Sequence, residues 1–571
     1  MLVDLYTKQA EDLSGMPWEI YPRPQMRRDS FYCLNDRWEF TVTEGEIPEI
    51  YPKKIRVPFS PESLLSGIHE HFPEGSALYY RRKVTLPADF CKGRVLLHIG
   101  AADQHLTAFV NGKEVGSHSG GYEAMTFDIT DALQEENEIV LRCVDDLRDL
   151  TMPYGKQTMT RGGMWYTPVS GIWQSVWLES VPETYIQALD ICADGEKAVI
   201  TVTPAQPGKV LLDGKEYPLT EGRAVIVPDA PRLWSPEDPY LYEFSVVTDT
   251  DRVDSYFALR SLQIKTVDGY PRLLLNGKPY FFHGLLDQGY WPDGIYTPAS
   301  PECYAEDILA MKKLGFNMLR KHIKVEPEEF YYQCDKLGMV VFQDMVNNGD
   351  YSYVRDTVIP TLGVQKRKDR NMHKDPAARK VFLDSMAGTV AQLKNHPSIV
   401  YWTIFNEGWG QFDSQNAYEE LKKLDSSRFI DSTSGWFRGN DTDVESMHIY
   451  FTPWSWLKAC DKPLVLSEFG GYCYAVPEHI FNPEKAYGYK SCKTAEEFTA
   501  ALEQLYRQRI IPAAEKGLCA AVYTQVSDVE DEINGLLTYD RKVCKADEKT
   551  MTDIAVALQK AVANTKVSVV K

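Results

Sequence analysis

Alternation of apolar and polar side chains, the period of a half-buried strand, dominates the first half of the chain. The runs "ALYYRRKVTL", "RVLLHIG", "HLTAFVNGKEVG", "MTFDIT" and "NEIVLRCVDD" follow one another between turn residues. Asn111-Gly112, flanked by alternating apolar residues, is a hairpin signal. This pattern predicts an all-β jelly-roll sandwich over 1–181. Pro182 marks its end, and further short strands ("KAVITVTPA", "GKVLLDG", "YLYEFSVVTD") predict a smaller immunoglobulin-like sandwich over 182–262. From 263 to 571 the period changes. Eight apolar runs now alternate with helical patterns: 279–284, 316–321, 339–344, 399–407, 428–434, 446–450, 464–470 and 519–525. Eight such alternations predict a (β/α)8 TIM barrel. The stretch 345–375 is too long for a connector and is expected to be an active-site loop.

Composition narrows the function. The chain of 571 residues is 44% hydrophobic and 25% charged, as in ordinary globular proteins. Aromatics reach 12%, which suits a protein that stacks rings on sugars and equally suits strand-rich sandwiches. A net charge of −19 argues against nucleic acid and anionic membranes as partners. No apolar run approaches the roughly 18 residues of a membrane span. The start, "MLVDLYTKQAEDLSG", has no apolar signal core, and the eleven cysteines show no C-x-x-C pair. A reduced, cytoplasmic setting is the expectation. Homo-oligomerisation is compatible with this composition.

Barrel strands are apolar because both faces are buried, and chemistry collects at their C-terminal ends. There the chain places Asp287, Gln288 and Trp291 after the first run, Arg320 and His322 at the second, and Asp344 at the third. Asn406 and Glu407 end the fourth, His448 and Tyr450 the sixth, Glu468 the seventh and Tyr523 the eighth. Two carboxylates, Glu407 and Glu468, would then face each other across one pocket. That is the requirement for glycoside cleavage: about 5–5.5 Å apart for retention, about 6.5–9.5 Å for inversion.

The stretches "WTIFNEGWG", "VLSEFGGY", "LLLNGKPYFFHGLLDQGYWPDG" and "KLGFNMLRKH" resemble glycoside hydrolase family 2, which includes β-galactosidases, β-glucuronidases and β-mannosidases. "FVNGKEVGSHSGGYEAMTFDIT" and "SGIWQSVWLE" look like that family's sugar-binding-type jelly roll. The resemblance implies a retaining β-glycosidase on an oligosaccharide or glycoside, with Glu407 as acid/base and Glu468 as nucleophile, and the long insert at 345–375 favours exo attack over a barrel hydrolase acting on endo-linkages. No metal or other cofactor is expected. Asn406 would bond the 2-hydroxyl, and Arg320 would keep Glu468 ionised. The other strand-end residues would line the sugar site. Where β-glucuronidases carry Asn-x-Lys, this chain reads Glu532-Ile533-Asn534. A Glu there would repel a uronate, so a β-galactosidase-like activity leads, with β-mannosidase or another β-glycosidase as the alternative. A catalytically inactive carbohydrate-binding protein is the reading from another class, and the retained carboxylate pair counts against it.

Overall fold

The computed structural model describes residues 2–563 apart from 365–367, 438, 440 and 451. Two antiparallel sheets form the first sandwich. A six-stranded sheet orders Lys53–Val57, Asp36–Thr43, Ala77–Val84, Asn137–Val144, His105–Val110 and Lys113–Ser119. A four-stranded sheet orders Tyr32–Cys33, Val176–Val181, Arg94–Ile99 and Met125–Asp128. Inward-facing Trp38, Phe40, Tyr80, Leu97, Leu141 and Leu178 fill the core between them. The Asn111-Gly112 turn joins two strands as its sequence predicts. Both residues have positive φ, 52° and 76°, the twist a two-residue hairpin needs.

A three-stranded and a four-stranded sheet follow, spanning Ala188–Ala193 to Arg252–Phe257, around a separate core that includes Ile200, Val246 and Phe257. An antiparallel ladder of Leu262–Val267, Tyr270–Leu275 and Lys278–Pro279 then leads into the barrel. Sequence patterning did not anticipate this ladder. It also shifts the first barrel strand three residues later than its apolar run suggests.

The barrel strands are β1 (Phe282–Asp287), β2 (Met318–Lys321), β3 (Val340–Asp344), β4 (Ile399–Asn406), β5 (Phe429–Ser434), β6 (Glu445–Ile449), β7 (Leu464–Gly470) and β8 (Leu518–Thr524). All the registered pairs are parallel, in the order β5-β4-β3-β2-β1-β8-β7-β6. Helices Glu302–Lys313, Glu328–Leu337, Pro376–Leu393 and Ser414–Leu424 follow β1 to β4 in turn, Ala495–Leu505 follows β7 and Glu548–Ala563 follows β8. Among the described residues, no α-helix follows β5 or β6. The β5–β6 link is only 435–444, and the β6–β7 link is bounded by Pro453 and Pro463 around a single turn at Trp454–Trp456. No helix among the described residues is long and apolar enough to cross a membrane. All eleven cysteines are free thiols.

Strand period sorts side chains into two layers. Phe282, Leu286, Met318, Val340 and Phe342 face the barrel interior in one cluster. Leu285, Leu319, Val341 and Tyr523 pack outward against the helices. This parity determines which strand-end residues can reach the pocket.

Candidate active site

Arg320 has the parity of Met318 and therefore points inward from β2. Its guanidinium grips Asp344 at the end of β3 with two 3.0 Å contacts (Nε to Oδ1, Nη2 to Oδ2), and both side chains are 1% exposed. It also donates to Glu468 Oε1 at 3.0 Å, to the Ser467 carbonyl at 3.0 Å and to Asn406 Oδ1 at 2.8 Å. His322, of the same parity, sets Nδ1 2.8 Å from Asp344 Oδ2. Burial first, then the Lys156 charge, pushes the His322 ring down to about 4, so it is neutral at neutral pH.

Glu407 begins a turn immediately after β4. Its φ is +51°, and its N–H still donates to the Ser434 carbonyl of β5 at 2.9 Å. Gly408 (φ +77°) allows the chain to turn there: a Cβ on it would meet the Phe437 ring at 2.3 Å. The turn aims the Glu407 carboxylate over the barrel mouth. His448 of β6 joins the two glutamates, with Nδ1 2.8 Å from Glu407 Oε1 and Nε2 3.5 Å from Glu468 Oε1. Its Nε2 also lies 3.0 Å from Ser434 Oγ, across the β5–β6 seam. One ligand atom each from Glu407, His448 and Glu468 falls within 4.8 Å of the others.

Tyr450 donates to Glu468 Oε2 at 2.9 Å, touches the Thr524 hydroxyl, and stacks on Tyr489 at 4.1 Å. Burial and the Glu468 charge hold its phenol well above the ordinary tyrosine value, so it remains a donor. Burial alone would raise the Glu468 carboxyl. His448, 3.5 Å away, and Arg320, donating at 3.0 Å, outweigh burial and hold it down to about 2.

Gln288, inward like Leu286, donates to Gln525 at 2.7 Å on the mouth beside β8. Three sequence candidates do not join this cluster. Asp287 has the outward parity of Leu285 and pairs with Lys321 at 2.7 Å under the helices. Tyr523 is outward as well. Its hydroxyl takes the Tyr472 N–H at 3.0 Å, and its ring packs on Phe469. Trp291 is buried against Tyr304, with the Arg541 guanidinium 4.0 Å over its ring. A strand-end position is legible in sequence, but the face it presents depends on where the strand begins, and β1 begins three residues later than its apolar run.

Sequence reasoning also missed residues. Ser434 and Thr524 end β5 and β8 as small neutral side chains that carry no charge signal. Trp409, two residues after Glu407, stacks on Trp165 at 5.3 Å, and Tyr351 meets both rings edge-on. Trp165 belongs to residues 145–170, a segment leaving the first sandwich. Tyr351 comes from the stretch after β3, so that stretch does reach the mouth; its residues 365–367 lie outside the described residues.

A barrel with this carboxylate pair can be set against known proteins. The family model for the TIM barrel domain of family 2 glycosyl hydrolases matches residues 267–553, half of the chain. The chain belongs to glycoside hydrolase family 2. Among similar proteins, a β-galactosidase of Thermoanaerobacter pseudethanolicus is 25% identical over 69% of this chain and 53% of its own length. A β-glucuronidase of Bacteroides fragilis is 25% identical over 66% and 56% respectively. The chain thus spans about half the length of these curated relatives. The crystal structure of a family 2 β-galacturonidase from Eisenbergiella tayi, bound to galacturonate, superposes with a TM-score of 0.69 at 19% identity, covering 95% of this chain and 99% of its own. That likeness concerns the fold.

Proposed function

We propose that the protein is a retaining, exo-acting β-glycosidase. The observation that carries this reading is the approach of Glu407 and Glu468 oxygens within 4.8 Å. That approach suits a nucleophile and an acid acting on one acetal carbon, as a retaining mechanism requires. In the first step the ionised Glu468 attacks the anomeric carbon. Glu407 gives its proton to the glycosidic oxygen, the bond to the leaving group breaks, and a glycosyl ester forms on Glu468. In the second step Glu407 takes a proton from water, whose oxygen attacks the same carbon and releases the free sugar and the Glu468 carboxylate.

The neighbours support these roles. Arg320 and Tyr450 both donate to Glu468, which favours its charged form. Asn406 spends its carbonyl oxygen on Arg320, while its buried Nδ2 has no protein partner among the described residues. That donor is free for the sugar 2-hydroxyl, a contact that strengthens in the transition state. Half-buried Trp165 and Tyr351, packed over buried Trp409, offer aromatic surface to a leaving group. A protein that only bound carbohydrate would have no use for an ionised glutamate beside a second carboxyl.

Glu468→Gln tests the reading. Turnover of nitrophenyl β-glycosides should fall below about a hundredth of wild type. Survival above that level would remove Glu468 as nucleophile and the mechanism with it. Within this class the sequence leads to a galactoside, while the curated relatives carry both β-galactosidase and β-glucuronidase names.

A further inference from the structure

Four lysines of the described residues are buried: Lys156, Lys321, Lys324 and Lys545. Three of them pair with carboxylates: Lys321 with Asp287 and Glu326, Lys324 with Glu326, and Lys545 with Asp528. Lys156 does not. It is 7% exposed, and its ammonium has no hydrogen-bond or ion-pair partner among the described residues. It rests 5.2 Å from the ring centre of Trp409 and 5.9 Å from that of Tyr166. Aromatic faces attract a cation, but among the described residues they leave its N–H groups without a protein acceptor. Nζ itself keeps contact with solvent, so an anion entering the cup can reach it.

The surroundings hold this cation at the catalytic cup. Residues 145–170 cross from the first sandwich to the barrel mouth. Gly349 N–H donates to the Leu150 carbonyl at 2.8 Å, and Tyr154 N–H to that of Asn347 at 3.0 Å. Thr167 N–H donates to Glu530 at 3.0 Å, and Arg161 pairs with Asp531 at 2.9 Å. Gly155 lies in the left-handed region (φ +67°), where a Cβ would meet the Ile323 carbonyl at 3.0 Å. The Lys156 charge acts on Glu468, His322 and Glu532. Its approach to the Trp409 ring puts it against the loop after β4, and its approach to Tyr166, whose hydroxyl bonds Glu532, puts it next to the loop after β8. Glu532 is already engaged, by the Tyr166 hydroxyl at one oxygen and by Asn534 Nδ2 at 2.8 Å on the other.

We propose that Lys156 is a specificity-determining residue that binds a carboxylate on the sugar itself, which makes the preferred substrates β-linked uronides. This rests on the β-glycosidase reading above. Glu532 on its own would repel a uronate. The fold adds a cation beside Glu532 from a remote segment.

The test compares nitrophenyl β-glucuronide, β-galacturonide and β-galactoside on wild type, Lys156→Met and Lys156→Arg. Wild type should prefer a uronide. In Lys156→Met the acidic-to-neutral ratio of kcat/KM should fall about a hundredfold, the scale of one lost charge-assisted hydrogen bond, chiefly through KM. Lys156→Arg should recover most of that ratio. An unchanged ratio in Lys156→Met overturns the proposal. So does a wild type that cleaves the galactoside and neither uronide, and that outcome leaves the β-glycosidase reading standing. Cleavage of no glycoside at all sinks that earlier reading instead. Should Lys156→Met fail to fold, inhibition of wild type by free glucuronate, galacturonate and galactose replaces it. One acid should bind at least about tenfold tighter than galactose, and equal inhibition overturns the proposal.

Discussion

Tyr450→Phe isolates one hydrogen bond to the proposed nucleophile. The phenol donates to Glu468 Oε2 at 2.9 Å while its ring stacks on Tyr489 at 4.1 Å. Removing the hydroxyl keeps the stacking and deletes the donor. A hydrogen bond to a charged group contributes about 1.5–3 kcal/mol. Deleting it should raise the Glu468 carboxyl by about 1–2 pH units, since each unit is about 1.4 kcal/mol. The sign follows from the direction of the native shift. Glu468 is held down to about 2, so the ionised form is present above that value and is lost as pH falls through it. The variant's acid limb should therefore move up, to about 3–4. The assay is kcat/KM for a nitrophenyl β-glycoside from pH 3 to 8, with the unfolding midpoint recorded at each pH. A variant that, like wild type, shows no acid limb above pH 3 would refute the assignment. So would a loss confined to KM, which would place the hydroxyl on the substrate instead.

Further outcomes are expected. Glu407→Ala should slow substrates with poor leaving groups by roughly 10²–10⁴ and activated aryl glycosides far less at the bond-breaking step; equal losses on both would count against an acid role. Turnover should persist after dialysis against a chelator, because the two-carboxylate mechanism requires no ion. Full loss, restored by one divalent metal, would mean that the Glu407–His448–Glu468 cluster holds a required ion.

The fold class and the carboxylate pair were legible in the sequence. Both rest on local signals: alternation in the sandwiches, apolar runs alternating with amphipathic segments in the barrel, and a polar residue where a doubly buried strand must end. Asn406, Glu407 and Glu468 stand out because an apolar strand such as β4 has no local reason to finish in polar side chains. Arg320, His322 and Asp344 followed from the same logic, and their shared inward parity brings them together. Asp287, Trp291 and Tyr523 did not, because a shift in where a strand starts, or an outward parity, turns a side chain from the cup to the helix layer. Such one-residue consequences are set by packing of the whole barrel. Lys156 had no sequence signal at all. It is an ordinary lysine in a loop of the first sandwich, and only the docking of that loop across the barrel mouth sets its ammonium against Trp409 and Tyr166. Local periodicity determines which elements form. Long-range packing determines which charges meet, because an ion's effect depends on distance in space and burial, neither of which is encoded in its position along the chain.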